Sequence, residues 1–467
     1  MLFFLISSLF LTPLSSYSLE NLEKGKIIDK VICSKEPTQS YALYLPQAYT
    51  PEKKWPILYA LDPGARGKMP LEHFKKASEK YNYIVVGSNN AQNGPMEPIV
   101  RAIIAVWDDT HDRFSIDPQR IYVTGFSGGA RVASRFAKIM FTYVTGIIAC
   151  GAGLSSEITP QEIPPAFYYG IIGNKDFNYL EMKILDGQLS QHKVPHRLLV
   201  FDGTHSWPPQ DICLRAIECM EIEAMKKDLK PIDKNLIKDI YKRELTDTEA
   251  LEASGQLFLA VSDYEILEAT FRDWMATDEI EKKTAQLKQS ESYKRAVKEE
   301  KDYQNKELAI LKNSRNIISQ IENYPFPEMN LNKILDKLKI EDLKREAQNS
   351  DNPAPQRNLA FRMLFDLEIY ASSKGWSHLE KNDFKRAITF FEVAVQAGAE
   401  DSGRQRYSFY GLARAYALNQ DKKNAIKNLE LAVKNGFNNV SAMEQEDDLQ
   451  FIRQTPEFKK ILNSIKK

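Results

Sequence analysis

Short apolar runs alternate with helical segments from about residue 26 to residue 206. Eight of these runs are rich in β-branched and aromatic residues, at positions 27–33, 41–45, 56–61, 83–87, 121–124, 144–150, 167–172 and 197–201. Their length and their alternation with helices predict a mostly parallel sheet covered on both faces. No helix separates the first two runs, so we expect an antiparallel hairpin at one edge. The pattern therefore predicts an α/β domain.

The composition changes after Pro208 and Pro209. Gly becomes rare, β-branched runs stop, and Glu, Lys, Leu and Ala dominate, so we expect the remainder of the chain to be helical. Residues 279–312 are highly charged and their apolar residues keep no heptad, which predicts a solvated helical arm rather than a coiled coil. The turn-rich segment 349–355 predicts a second boundary.

An internal repeat follows this boundary. Four small or apolar residues recur 38 positions later, namely Gly375, Ala387, Phe391 and Ala394, then Ala413, Ala425, Leu429 and Ala432. The spacing resembles the tetratricopeptide repeat, with a lengthened loop at residues 398–403, and this resemblance implies a surface for a protein partner. Two copies are few for a solenoid, so neighbouring helices are expected to cap the stack. A plain pair of helical hairpins is the alternative.

Length limits the number of domains, and charge argues against nucleic-acid binding. The 467 residues predict two or three domains, and 63 Lys and Arg balanced by 63 Asp and Glu give no positive field that would favour nucleic acid. The first residues form an apolar run too short to span a bilayer, with small residues at Ser16 and Ser18. They predict a secretory signal at residues 1–18 and export to the periplasm or medium, without a stable membrane span. No Lys or Arg precedes the run, so a buried N-terminal helix is the alternative.

The cysteine pattern indicates neither a disulfide scaffold nor a metal site. Cys150 ends a predicted buried strand, while Cys213 and Cys219 would be about 9 Å apart along a helix, beyond disulfide reach. We expect buried free thiols. No metal-ligand spacing such as C-x-x-C occurs, and no cofactor is expected.

The most specific motif is G-x-S-x-G, with Gly125, Ser127 and Gly129 at its fixed positions. A predicted strand precedes it and residues 130–140 repeat apolar positions at helical spacing. This context is typical of a nucleophile elbow, in which a serine sits on a strained turn between strand and helix. Ser127 is therefore the candidate nucleophile.

A serine nucleophile needs a base and an acid that orients the base. His205 follows the last predicted strand, on a loop that Gly203 allows to turn, and is preferred to His192, His196 and His378. Asp176 follows the preceding strand and is the candidate acid. Asp202 is its rival, but it lies only three residues from His205.

Candidate oxyanion donors come from the elbow and from the loop after the third strand. Gly128 follows the nucleophile, and Gly64 is preferred to Ala65 in the loop, where Pro63 has no N–H. Three further loop residues are candidate substrate contacts: Asn89, Asn90 and Trp207. Turn formation by the asparagines and half-buried packing of the tryptophan are the alternatives.

Two longer stretches carry a resemblance to a known family. Residues 41–64, which include Tyr-Ala-Leu-Tyr-Leu-Pro and end in Leu-Asp-Pro-Gly, together with 116–129, Ile-Asp-Pro-Gln-Arg-Ile-Tyr-Val-Thr-Gly-Phe-Ser-Gly-Gly, resemble the polyhydroxyalkanoate-depolymerase and feruloyl-esterase-like α/β-hydrolases. The resemblance covers about residues 26–217. It implies a Ser127, Asp176 and His205 triad that cleaves an ester through an acyl-enzyme. Members usually carry His-Gly after the third strand, whereas this chain has Asp62 and Pro63.

The expected organisation has four parts: a signal at 1–18, an α/β-hydrolase domain at 19–225, a helical arm at 226–355 and a tetratricopeptide-like region at 356–467. The leading hypothesis is a serine esterase whose repeat binds a partner or positions the enzyme. A weak or inactive hydrolase-fold scaffold and a serine peptidase are the alternatives, and the ester substrate is open.

Overall fold

The computed structural model describes residues 22–163, 166–323, 330–398 and 403–465. The predicted signal at residues 1–18 and residues 399–402 of the predicted long loop lie outside them. Contacts divide the chain into two compact units. The first unit comprises Met1–Ile171, Leu185–Leu199 and Ser206–Asp233, and the second comprises Ile172–Ile184, Val200–His205 and Lys234–Lys467. The loops that carry Asp176 and His205 therefore group with the C-terminal helices.

A mostly parallel sheet of eight strands forms within the described residues. The strands are β1 Ile27–Ile32, β2 Ser40–Tyr44, β3 Trp55–Leu61, β4 Ile84–Ser88, β5 Ile116–Phe126, β6 Val144–Cys150, β7 Phe167–Gly173 and β8 His196–Phe201. Their order across the sheet is β1-β2-β4-β3-β5-β6-β7-β8. β2 pairs antiparallel with β1 and β4, whereas β3 to β7 pair in parallel. The predicted α/β class and the edge hairpin are confirmed.

Four helices alternate with these strands and a fifth follows β8: α1 Lys68–Tyr81, α2 Met96–Arg113, α3 Gly128–Ile139, α4 Tyr179–Gln191 and α5 Gln210–Lys226. The predicted helix at 130–140 is α3, which begins two residues earlier. Its buried face carries Ala130, Ala133 and Phe136. Every residue of β3 is also buried, as expected for a parallel strand with helices on both sides. These buried faces fix the path of the chain around Ser127.

Thirteen helices follow in the described part of the second unit: α6 Lys234–Ala253, α7 Leu257–Phe271, α8 Asp278–Gln289, α9 Glu291–Asn323, α10 Leu331–Leu338, α11 Ile340–Gln348, α12 Ala354–Glu380, α13 Phe384–Ala397, α14 Gln405–Leu418, α15 Lys422–Lys434, α16 Val440–Gln445, α17 Gln450–Arg453 and α18 Pro456–Ile465. None of the helices in the described residues is long and apolar enough to cross a membrane.

The predicted helical arm at residues 279–312 consists of two helices, α8 and the first part of α9. The chain breaks at Ser290, whose backbone is extended and whose hydroxyl accepts the Tyr293 N–H. Most residues of this stretch are exposed or half-buried, as predicted for a solvated arm. Beyond the predicted arm α9 continues to Asn323, and there Ile317, Ile318 and Ile321 lie in an apolar core.

The repeat corresponds to two successive helical hairpins, α12 with α13 and α14 with α15. Its alanines, Ala387, Ala394, Ala413, Ala425 and Ala432, are fully buried. Gly375 and Gly411 both face the Phe391 ring, and a Cβ at either position would come within 2.7 Å and 2.4 Å of it. Small residues therefore allow the helices to approach closely, as the repeat predicted. Its assignment to the tetratricopeptide family stays a prediction.

The four cysteines are buried and unpaired, as expected. Burial raises the pKa of the Cys33 and Cys150 thiols to about 12. Both are therefore protonated near neutral pH.

A pair of glycine substitutions tests the packing of the helical hairpins. Gly411→Ala should lower the thermal unfolding midpoint, because over-packing against the buried Phe391 ring costs about 1–3 kcal/mol. The gain in helix propensity, about 1 kcal/mol, does not offset a collision of this kind. Gly187→Ala is the matched control, because nothing lies within 4 Å of a Cβ there, and it should raise stability. Increased stability in both variants would contradict the packing described.

Candidate active site

Ser127 lies on a tight turn between β5 and α3. Its backbone has φ 53° and ψ −122°, a conformation that L residues rarely adopt. A Cβ on Gly125 would come within 2.1 Å of the Gly129 carbonyl oxygen, and one on Gly129 within 2.0 Å of the Leu61 carbonyl oxygen. The Ser127 N–H donates to the Cys150 carbonyl at 2.8 Å. The strand, turn and helix predicted around Ser127 are present, and both motif glycines are required for close backbone approach.

Gly128 follows Ser127 and begins α3. A Cβ on Gly128 would come within 2.5 Å of both Cγ and Nδ2 of Asn93, which lies on the loop between β4 and α2. The Asn93 side chain therefore fills the space that a side chain at position 128 would need. Sequence analysis selected Asn89 and Asn90 on this loop and missed Asn93. The sequence holds no signal that separates these asparagines, because the path of the loop decides which one faces α3.

Asp176 and His205 form a hydrogen-bonded pair in which the aspartate is buried and the histidine half-buried. The two residues lie 29 positions apart, on the loops after β7 and β8, and His205 Nδ1 is 2.8 Å from Asp176 Oδ2. The other carboxylate oxygen accepts the Asn178 N–H at 2.9 Å. A carboxylate oxygen accepts hydrogen bonds, so Nδ1 is the ring nitrogen placed to donate to Asp176, and in that tautomer Nε2 is the nitrogen with the lone pair. The Asp176 side chain is 1% exposed and that of His205 13% exposed.

The rival residues have other partners. Asp202 is 77% exposed and pairs with Lys175 at 2.9 Å, so the preference for Asp176 agrees with the geometry. The three remaining downstream histidines each contact a residue outside the Asp176 and His205 pair: His192 contacts Gln161, His196 contacts Asp186, and His378 contacts Asp383.

Aromatic rings cover the imidazole of His205. The Phe177 ring lies 4.4 Å from it and the Phe365 ring of α12 lies 6.1 Å away, at near right angles. The Arg404 guanidinium lies 3.7 Å from the centre of the Phe365 ring. The histidine therefore has an apolar surround to which the C-terminal helices contribute a side chain.

A buried ion pair contacts the loop that carries Asp176. Arg362 of α12 donates from Nη1 to the Asn174 carbonyl at 2.7 Å, and its guanidinium lies 4.3 Å from the centre of the Tyr179 ring. Its remaining nitrogens, Nε and Nη2, donate to the two carboxylate oxygens of Glu307 on α9 at 2.9 Å and 2.5 Å. Both side chains are at most 6% exposed. The helical region thus fixes both ends of the Asp176 loop, which sequence reasoning did not anticipate.

The loop after β3 corrects the expectation for Gly64. Its N–H donates to Asp62 Oδ1 at 2.9 Å, and the Ala65 N–H donates to the Asp62 carbonyl at 3.0 Å. Arg66 binds both oxygens of the same carboxylate, at 2.8 Å and 2.9 Å. Burial alone would raise the pKa of Asp62, but the hydrogen bonds from Arg66, Trp207 and Gly64 hold it below its usual value. Both predicted N–H donors are therefore engaged inside their own loop.

The three predicted substrate contacts have structural roles. Trp207 is 7% exposed, donates from Nε1 to Asp62 Oδ2 at 3.0 Å and stacks on His73, so it packs in the interior. Asn89 Nδ2 donates to the Asp29 carbonyl at 3.1 Å. Asn90 Oδ1 accepts the Ser40 N–H at 2.8 Å. The asparagines thus bind the β1–β2 hairpin, and a contact of either one with substrate stays a prediction.

Comparisons with known proteins give structural similarity only. No protein-family model matches the chain, and no curated protein matches it. Among solved structures it is similar to FphF, a fluorophosphonate-binding serine hydrolase of Staphylococcus aureus, at 16% identity over 42% of this chain and 99% of that one, with a TM-score of 0.36. It is also similar to Est1E from Butyrivibrio proteoclasticus, at 12% identity. The match covers 40% of this chain and 95% of Est1E, with a TM-score of 0.34. A ferulic acid esterase is similar at 15% identity. That match covers 41% of this chain and 96% of the esterase, with a TM-score of 0.35.

Proposed function

We propose that the protein is a serine hydrolase that cleaves carboxylic esters through an acyl-enzyme on Ser127. The observation that carries this proposal is a serine on a strained strand-to-helix turn, in a chain that also holds a hydrogen-bonded Asp–His pair on the loops after β7 and β8. Serine, acid and histidine follow one another in the order that such hydrolases use. The motif resemblance to feruloyl-esterase-like enzymes favours esters over amides.

The proposed chemistry has two halves. His205 Nε2 takes the proton of Ser127 Oγ as that oxygen attacks the ester carbonyl, and the imidazolium then gives the proton to the leaving alkoxide. Water, deprotonated by the same nitrogen, attacks the acyl-enzyme and releases the acid and the free serine. Asp176 keeps the proton on Nδ1, so that Nε2 can act as the base in both halves.

The alternative is a hydrolase-fold scaffold with little or no activity. It is favoured by one observation, the engagement of the Gly64 N–H with Asp62, which removes a donor that the oxyanion needs. We also propose that residues 1–18 direct export and that the repeat region binds a protein partner.

We further propose that the helical region positions the Asp176 loop. Arg362 is bonded to the Asn174 backbone and to Glu307, and it stacks on Tyr179, so the loop on either side of Asp176 contacts one rigid side chain. A misplacement of about 1 Å in a catalytic group can cost about 100-fold in rate. The C-terminal helices would therefore contribute to activity through geometry, without touching the substrate.

The first experiment is hydrolysis of p-nitrophenyl esters from acetate to octanoate by the full chain and by Ser127→Ala. The wild type should turn over one or more esters and be labelled by a fluorophosphonate, and Ser127→Ala should lose both, because the nucleophile is absent. The chain-length optimum would measure the acyl pocket. If the wild type is inactive and unlabelled, the scaffold alternative replaces this proposal.

A pair of aspartate substitutions tests the acid. Asp176→Ala should lower kcat by about 10³–10⁴-fold, since the imidazole loses the partner that sets its tautomer. Asp202→Ala is the matched control, because its exposed carboxylate bonds the side chains of Lys175 and Asn174 at the surface, and kcat should stay within about twofold. Equal losses in the two variants would contradict the assignment.

A pair of double variants tests the role of Arg362. Arg362→Met with Glu307→Leu removes both charges together, which avoids an unpaired buried charge. We expect kcat to fall by about 10–100-fold with KM little changed. Arg315→Met with Asp366→Leu removes another ion pair between α9 and α12, whose atoms are 2.7 Å apart, and should leave kcat unchanged. Loss of kcat in both double variants, with equal loss of stability, would indicate a general structural role.

A further inference from the structure

We propose that the carboxamide of Asn93 supplies the second hydrogen-bond donor to the oxyanion. This inference rests on the proposed function, because it concerns the same tetrahedral intermediate. In acyl transfer two donors usually stabilise the developing negative charge on the former carbonyl oxygen. The Gly128 N–H, next to the nucleophile, is one donor. The second donor remains to be identified, because the N–H groups of Gly64 and Ala65 both donate within their own loop.

Asn93 lies close enough to Gly128 to act with it. Its Nδ2 is 2.5 Å from the position of a Cβ on Gly128. The backbone nitrogen and the Cβ of one residue are separated by two bonds, about 2.5 Å, so Asn93 Nδ2 lies within about 5 Å of the Gly128 nitrogen. Two donors that each bind one oxygen at 2.7–3.1 Å can be no more than about 6 Å apart. The pair meets that limit.

The glycine at position 128 is a second feature that supports Asn93 as the donor. The nucleophile motif fixes glycines at positions 125 and 129, but it leaves position 128 open. Any side chain there would collide with Asn93 Cγ and Nδ2. The chain therefore keeps the space beside the nucleophile for a carboxamide that comes from another loop.

The backbone around Asn93 connects the two loops concerned. The Asn93 N–H donates to the Pro63 carbonyl at 3.0 Å, which joins the loop after β4 to the loop after β3. This bond holds Asn93 next to the loop that carries the two donors predicted from sequence, Gly64 and Ala65. The residue is exposed, and its carboxamide makes no hydrogen bond within the part of the chain that the structure describes, so the amide is accessible to a substrate.

The chemical class of ligand follows from the donor. A neutral amide N–H₂ binds an oxyanion without bringing a positive charge, so it stabilises the tetrahedral intermediate of an uncharged ester carbonyl. No proton is transferred at Asn93. Its contribution is a hydrogen bond that strengthens as the carbonyl oxygen becomes negative.

Steady-state kinetics of Asn93→Ala and Asn93→Asp in the full chain test the proposal, with Gln92→Ala as the neighbouring control. Asn93→Ala should lower kcat by about 10²–10³-fold with KM little changed, as expected for loss of one oxyanion donor. Asn93→Asp should lower kcat at least as far, because a carboxylate has the same shape, donates nothing and repels the oxyanion. Gln92→Ala should keep kcat.

Gly128→Ala supplies a second route to the same contact. Its Cβ should displace the carboxamide and lower kcat, and the double variant with Asn93→Ala should be no slower than the slower single variant, because both act on one contact. Thermal unfolding checks that each variant is folded.

The outcomes separate this inference from the proposed function. If Asn93→Asp and Asn93→Ala both retain kcat within about threefold while Ser127→Ala is inactive, the esterase stands and the Asn93 donor is wrong. If the folded wild type neither hydrolyses an ester nor reacts with a fluorophosphonate, the proposed function fails and the Asn93 donor fails with it.

Discussion

Close backbone contact around the turn at Ser127 is the constraint on which the packing of β3, β5 and α3 depends. Position 125 approaches the start of α3, and position 129 approaches the end of β3, so closely that neither tolerates a Cβ. Ser127 takes a backbone conformation that is unfavourable by about 1–3 kcal/mol, and it persists only because the surrounding strands and helix fix it. The strained turn at Ser127 therefore requires the motif glycines, the adjacent parallel strands and the first turn of α3 to form together.

The Asp176 loop shows a second constraint, which comes from the C-terminal helices. Arg362 and Glu307 neutralise each other in a buried setting, and the remaining donor of Arg362 binds the loop backbone. Removal of one partner of such a pair typically costs about 3–5 kcal/mol, since a buried charge is left uncompensated. Helices that are remote in sequence from Ser127 thus contact the loop of Asp176, the proposed acid, which in turn contacts His205.

The loop after β3 shows how one change in sequence is accommodated. Asp62 replaces the histidine that the family resemblance leads one to expect, and its carboxylate gathers the Gly64 N–H, the Arg66 guanidinium and the Trp207 indole. A carboxylate with three such donors orders the loop, but it also consumes the backbone N–H that would face an oxyanion. The carboxamide of Asn93, which lies against Gly128, is the donor that the structure offers in its place.

The sequence alone determined the features that arise from local pattern. Alternating apolar runs located all eight strands, the G-x-S-x-G context located the turn at Ser127, and chain order located Asp176 and His205, which the structure brings to 2.8 Å. Strand ends were less accurate, as in β5, which begins at Ile116 instead of residue 121 because Asp117 and Pro118 conceal its start.

Tertiary structure decided the contacts made between distant segments. Asn93 and Gly128 belong to different loops, and Arg362 lies 188 residues from Asn174, so no periodicity or spacing could connect them. The same holds for Gly64, since whether its N–H is available depends on where the Asp62 carboxylate points. The local sequence determines which residues have the chemical groups that a reaction could use. The packing of loops and helices determines which of their hydrogen-bond donors stay accessible to a substrate.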